Sequence, residues 1–154
     1  MDTARVWGLG YGLGSMVGLH LGALDERLAG FVSVCGPPAF RLDTDEARTG
    51  GIRRWSHDTM LLPQLGEFIG QEQRIPYDLD DLLACAAPRP ALIISPQLDR
   101  EAPPDLVTPA VEAARRVYAL HGATGNLEQA LPEDYNRFGP EMQQVVLDWL
   151  ALST

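Results

Sequence analysis

Arg5-Val-Trp-Gly-Leu-Gly-Tyr-Gly-Leu-Gly-Ser15 is the stretch that decides how this chain is read. Val6, Trp7 and Leu9 suit a strand, Gly10-Tyr11-Gly12-Leu13-Gly14 suits a tight turn, and a helical pattern follows at once. This is the strand–turn–helix setting of a G-x-S-x-G motif, with Gly12 where that motif carries its serine. The flanking glycines have a physical reason, because such a turn strains the backbone and brings strand and helix too close for a Cβ. A Gly-rich turn that receives a phosphate has a similar outline. Gly12 itself offers no oxygen to attack a carbonyl.

Outward from this turn, β-branched and apolar runs alternate with helical patterns. Strands are expected over Arg5 to Leu9, Gly30 to Cys35, Ala91 to Ser95 and, more weakly, Asn126 to Leu131. Helices are expected over Ser15 to Leu24, Asp58 to Ile69, Leu79 to Ala86, Asp105 to Leu120 and Pro140 to Leu150. The last two carry clear apolar stripes, Val107, Val111, Ala114, Val117 and Tyr118 on one and Met142, Val145, Val146, Trp149 and Leu150 on the other. The alternation predicts an α/β fold, a mostly parallel sheet of about four strands flanked by helices, in a single domain over residues 1–154. Residues 36–57, rich in proline, glycine and charge, read as a long loop, and long loops in compact domains are commonly functional.

With the turn, the segments Gly50-Gly-Ile-Arg-Arg-Trp55, Ile75-Pro-Tyr-Asp78, Ala87-Pro-Arg-Pro-Ala-Leu-Ile-Ile-Ser-Pro96, Leu98-Asp99-Arg100 and Asp134-Tyr-Asn-Arg-Phe138 give the chain a further look. It resembles the C-terminal half of an α/β-hydrolase, nearest to the dienelactone-hydrolase-like and acetylxylan-esterase-like group. The resemblance implies that the turn is the nucleophile elbow, following the fifth strand of an eight-stranded sheet, and that the 36–57 loop lies over the active-site face. It implies relation to carboxylic-ester hydrolases and a small ester or carbonyl ligand. It also implies a free edge on the first strand, because the strand that would pair there is absent; association is expected through the edge of Arg5 to Leu9, as a homodimer or with a separate chain that supplies the other half.

A serine hydrolase needs a nucleophile, a base, an acid that orients the base, and donors for the oxyanion. By the resemblance Asp99 stands at the acid position, although a loop aspartate there also suits a cap of the next segment. Asn136 falls where relatives carry the catalytic histidine; an amide is no base near neutral pH, but it can hydrogen-bond Asp99 or a ligand. The Leu13 amide is a candidate oxyanion donor at a helix start. His57, between Ser56 and Asp58, is the alternative base, or else a loop residue. Weak or non-standard hydrolysis is therefore expected, with a non-catalytic binding or assembly module as the alternative.

Other groups have structural readings first. Ser15 suits a helix cap better than a nucleophile. Cys35 and Cys85 suit small buried positions better than a disulfide or a reactive thiol. Arg41, Arg53 and Arg54 fit either a carboxylate site or solvated pairs with Asp43, Asp45 and Glu46. Trp55 and Tyr77 fit either ligand stacking or anchoring of the loop, and His20 and His121 read as structural. Neither metal nor cofactor is expected, since three scattered histidines and two distant cysteines have no ligand spacing.

The 154 residues carry a net charge of −9, and all twelve basic residues are arginine. No clustered basic surface exists for phosphates, which argues against nucleic acid. No run of eighteen apolar residues and no leader pattern is present, so a cytoplasmic protein away from membranes is the expectation.

Overall fold

The computed structural model describes residues 6–153. Four strands, β1 (Val6–Tyr11), β2 (Leu28–Val34), β3 (Ala91–Ile94) and β4 (Leu127–Ala130), form one parallel sheet in the order β1-β2-β3-β4. The helices are α1 (Leu13–Leu24), α2 (Leu79–Ala86), α3 (Pro104–Leu120) and α4 (Pro140–Ser153). Strand bounds differ from the sequence expectation by at most two residues, and the Arg5 end of the first strand lies outside the described residues.

Side chains of the inner strands alternate between two cores, as a period of two requires. Phe31 and Ile93 join Leu19, Leu79, Leu83, Val111 and Tyr118 beneath α1, α2 and α3. Val32, Val34, Leu92 and Ile94 face the other way, onto Met142, Val146 and Trp149 of α4. Both faces are thereby covered, which is why β2 and β3 read as continuous apolar runs. A third cluster, Met16, Phe40, Ile52, Trp55, Leu65 and Ile75, anchors the long connection between β2 and α2.

That connection holds the main departure from expectation. The helix predicted over Asp58 to Ile69 is replaced by a π turn over Arg54–Asp58 and a 3-10 turn over Pro63–Phe68. Met60 has φ of 54° and Leu62 is held out of the helical region before Pro63, so no continuous helix can pass. The apolar spacing of Leu61, Leu62, Leu65 and Phe68 reflects packing onto the third cluster instead.

Polar anchors fix the same connection. Asp78 begins α2 in a capping box, accepting from the Leu79 amide at 2.8 Å while Asp81 accepts from the Asp78 amide at 2.9 Å. The same Asp78 carboxylate accepts from the Phe40 and Arg41 amides at 2.6 and 3.0 Å, so one buried side chain ties the loop to the helix. Arg53, expected in solvated pairs, is buried: it reaches Glu72 at 3.0 Å and Asp45 at 2.8 Å, bonds the Asp43 carbonyl, and its amide donates to Asp43 Oδ2 at 2.9 Å. A loop folding back on its own carboxylates, rather than solvent, partners this arginine.

Candidate functional site

The carboxyl ends of all four strands meet at one place, the usual position for a ligand in an open parallel sheet. β1 ends at Tyr11 and the chain turns through Gly12, with φ of 54° and ψ of −111°, directly into α1. The Gly12 amide still donates to the Val34 carbonyl at 3.0 Å, while the Gly12 carbonyl accepts from the Ser15 and Met16 amides. A Cβ on Gly10 would lie 2.0 Å from the Gly14 carbonyl oxygen, so only glycine permits the strand and helix to meet here. At Gly12 a Cβ would meet nothing within 4 Å: the backbone angle, not space, favours glycine.

A cavity of about 340 Å³ opens over this turn, lined by Tyr11, Gly12, Leu13, Cys35, Arg54, Trp55 and Asn136 among others. Gly50, Arg54 and Trp55 border it, so the long loop forms one wall. Trp55 is held rigid there, its indole N–H donating to the Gly50 carbonyl at 2.8 Å. Arg54 lies 5.8 Å from the Trp55 ring centroid and pairs with Glu101, which also lines the cavity.

The loops after β3 and β4 are joined by backbone bonds, Gln97 to Pro132 at 2.9 Å and Leu98 to Asp134 at 3.0 Å. This brings Asp99 and Asn136 together: the Asn136 Nδ2 donates to Asp99 Oδ2 at 2.9 Å. Tyr11 Oη donates to Asn136 Oδ1 at 3.0 Å, and its ring stacks on Phe138 at 6.2 Å. The polarity is self-consistent, because a carboxylate only accepts and so takes the amide NH₂, leaving the amide oxygen for the phenol. The other Asp99 oxygen accepts from the Glu101 and Ala102 amides at 2.9 and 3.3 Å. The capping and pairing readings of Asp99 are thus both realised, one per oxygen.

Leu13, whose amide is the candidate oxyanion donor, opens α1 and lines the cavity, where the first helical N–H groups have no intrahelical acceptor. His57 is exposed on the π turn and beside Gly66, and it does not line the cavity. Ser15 does not cap α1 as expected; it is fully buried and hydrogen-bonds Ser33, joining helix to sheet. His20 is held between the Met16 carbonyl at 2.9 Å and Tyr77 Oη at 3.0 Å, and Tyr77 also packs on Phe40.

Of the two cysteines, Cys85 is exposed rather than buried, and both are free. Cys35 is buried at the end of β2 with φ of 49° and lines the cavity; burial, with the Asp99 charge nearby, pushes its thiol up to about 12. A thiol so hard to ionise is a poor nucleophile. Burial also raises the Tyr11 phenol, assisted by Cys35 and Asp99, so Tyr11 stays protonated and a donor at neutral pH. The Tyr11 and Cys35 contributions, absent from a reading along the sequence, follow only from strand ends meeting in space. Among the described residues no cluster of three or more His, Cys, Asp or Glu is placed to hold a metal ion, and no helix is long and apolar enough to cross a membrane.

No protein-family model matches the chain, and no curated protein matches it. Solved structures do. A promiscuous CE15 esterase from the marine bacterial metagenome superposes with a TM-score of 0.86 at 22% identity, over 100% of this chain and 43% of that one. A carbohydrate esterase family 15 glucuronoyl esterase from Caldicellulosiruptor kristjansonii gives 0.85 at 20% identity, over 99% and 44%. A CE15 glucuronoyl esterase from Teredinibacter turnerae T7901 gives 0.80 at 17% identity, over 100% and 42%. The fold is therefore that of part of an α/β-hydrolase, and the chain spans less than half the length of these esterases.

Proposed function

We propose that the cavity over the β1–α1 turn binds a small ester or related carbonyl compound on a scaffold related to carboxylic-ester hydrolases, without turnover through a covalent acyl-enzyme. The observation that carries this reading is the Tyr11–Asn136–Asp99 chain beside Gly12. It has the layout of an acid and its orienting partner next to an elbow, with an amide in place of a base and hydrogen in place of a hydroxyl. The esterase-like fold supports the ligand class, and the Leu13 amide at the α1 start is suited to a carbonyl oxygen.

Hydrolysis on such a site has to proceed through water with no positioned base, so any rate is low. His57 stands outside the cavity, which favours the binding-module reading over water activation by a His57–Asp99 pair. The test joins a fluorophosphonate probe with a short-chain aryl ester. The expected result is no covalent labelling and an ester rate within about twofold of that of His57→Ala. A labelled residue, or a rate that falls at least tenfold in His57→Ala, overturns the proposal.

A further inference from the structure

The hydrogen bonds around Tyr11 run in one direction, and the free end of that chain faces the cavity. One Asp99 oxygen is filled by the Glu101 and Ala102 amides, and the other accepts from Asn136 Nδ2 at 2.9 Å. A carboxylate only accepts, so the Asn136 amide is fixed with its NH₂ toward Asp99 and its oxygen toward Tyr11. The phenol has two partners, Asn136 Oδ1 at 3.0 Å and the Asn136 backbone carbonyl at 3.2 Å. Neither can donate. Whichever bond forms, the single phenol proton is spent on Asn136.

The phenol oxygen keeps its lone pairs. No described residue donates to Tyr11 Oη, and Tyr11 and Asn136 both line the cavity beside Gly12 and Leu13. In a chain of hydrogen bonds, each group that donates becomes a better acceptor at its other end, so the Asp99 charge is felt at Tyr11 Oη. Burial, with Cys35 and Asp99, raises the phenol above its ordinary value, so its proton stays in place near neutral pH. Two residues along the same turn, the Leu13 amide opens α1 as a donor, whereas the Trp55 indole N–H is already engaged by the Gly50 carbonyl and Arg54 by Glu101. A bound molecule therefore meets a donor at Leu13 and an acceptor at Tyr11.

Building on the carbonyl ligand of the preceding section, we propose that Tyr11 Oη is a specificity-determining acceptor, and that the cavity selects carbonyl compounds carrying a hydroxyl or N–H donor close to the carbonyl carbon over simple esters. The carbonyl oxygen takes the Leu13 amide, and the donor takes Tyr11. A simple ester offers acceptors only; it displaces water from the phenol oxygen and replaces it with nothing.

The test is titration of the full chain followed by nuclear magnetic resonance, with methyl mandelate, its O-methyl ether and methyl phenylacetate as a matched set and phenylacetamide as the N–H arm. One added hydrogen bond is expected to make at least one donor-bearing compound bind about three- to tenfold tighter than the donor-free esters. A gain for methyl mandelate alone assigns the donor to a hydroxyl, and a gain for phenylacetamide alone assigns it to an N–H. Tyr11→Phe, which keeps the ring that stacks on Phe138, is expected to abolish the preference. Should that variant misfold, Asp99→Asn gives the second reading. Its oxygen can keep the Glu101 and Ala102 amides while its new NH₂ turns the Asn136 amide round, so that Asn136 donates to the phenol oxygen and occupies the acceptor. The preference is then lost with every side chain close to its original shape. Equal affinities across the set, or a preference that persists in either variant, would overturn this inference and leave the carbonyl-ligand reading standing. Binding of none of the four compounds would overturn both.

Discussion

Two polar networks, one at the cavity and one beneath the long loop that walls it, are built in opposite ways. Tyr11, Asn136 and Asp99 make a chain with one charge, whose amide member has its donor and acceptor sides both used. Arg53, Asp43, Asp45 and Glu72 concentrate four charges, three of them buried, beneath the long loop. The first joins a phenol, an amide and a carboxylate across the ends of three strands; the second spends its charge on holding a wall in position. Chemistry and architecture have thus been separated, and each network can be perturbed without touching the other.

The largest expected change comes from building chemistry into the first network. Gly12→Ser with Asn136→His puts a hydroxyl in a position with room for its Cβ and an imidazole beside Asp99. A positioned general base contributes about 10²–10⁴-fold, so aryl-ester hydrolysis is expected to rise by that order over either single variant, with fluorophosphonate labelling at position 12. Equal rates in the double and single variants would mean that the Asp99–Asn136 geometry is not a relay position. Next in size is Arg53→Met, which strips the cation from buried Asp43 and Glu72. Breaking a buried pair costs about 3–5 kcal/mol, with the lower end expected because Asp45 is already solvated. That is about 6–12 °C in melting temperature for a chain of this size, measurable by circular dichroism, and a change under 2 °C would reduce the network to a surface feature.

How far these networks were legible in the sequence differs for physical reasons. The four strands and the capping box at Asp78 are local patterns, and the alternation of buried side chains along β2 and β3 follows from runs such as Leu92-Ile-Ile94. The turn at Gly12 was readable because glycine is required both by its backbone angle and, at Gly10, by the approach of α1. Asp99 and Asn136 lie 37 residues apart, and only likeness to a known fold could pair them. Asp43 and Asp45 were legible as partners of Arg53 from their nearness in the chain, but the burial of that group, its bond to Glu72 and the Ser15–Ser33 bond had no local signature, since each depends on the finished packing. The predicted helix over Asp58 to Ile69 failed for the complementary reason. Its apolar spacing was genuine, but Met60 and Pro63 give the backbone a different path to the same buried cluster.

The smallest effect separates charge from hydrogen bonding within the second network. The Gly70 amide, and then Arg53, hold the Glu72 carboxyl below its ordinary value. A carboxylate depressed in the folded state contributes stability that is complete above its unfolded pKa, about 4.3, and is lost as pH falls through the folded value. Glu72→Gln keeps an acceptor oxygen for the Gly70 amide but cannot titrate. At pH 6 the variant is expected to melt a few degrees below the wild type, and that gap should close as pH is lowered below 4. Asp25 and Asp134, also depressed by their arginine neighbours, weaken both proteins alike in acid, so the difference between the two melting curves isolates Glu72. A gap that stays constant from pH 6 to pH 3 would mean that the oxygen's geometry, and not its charge, holds Arg53 and the loop in place.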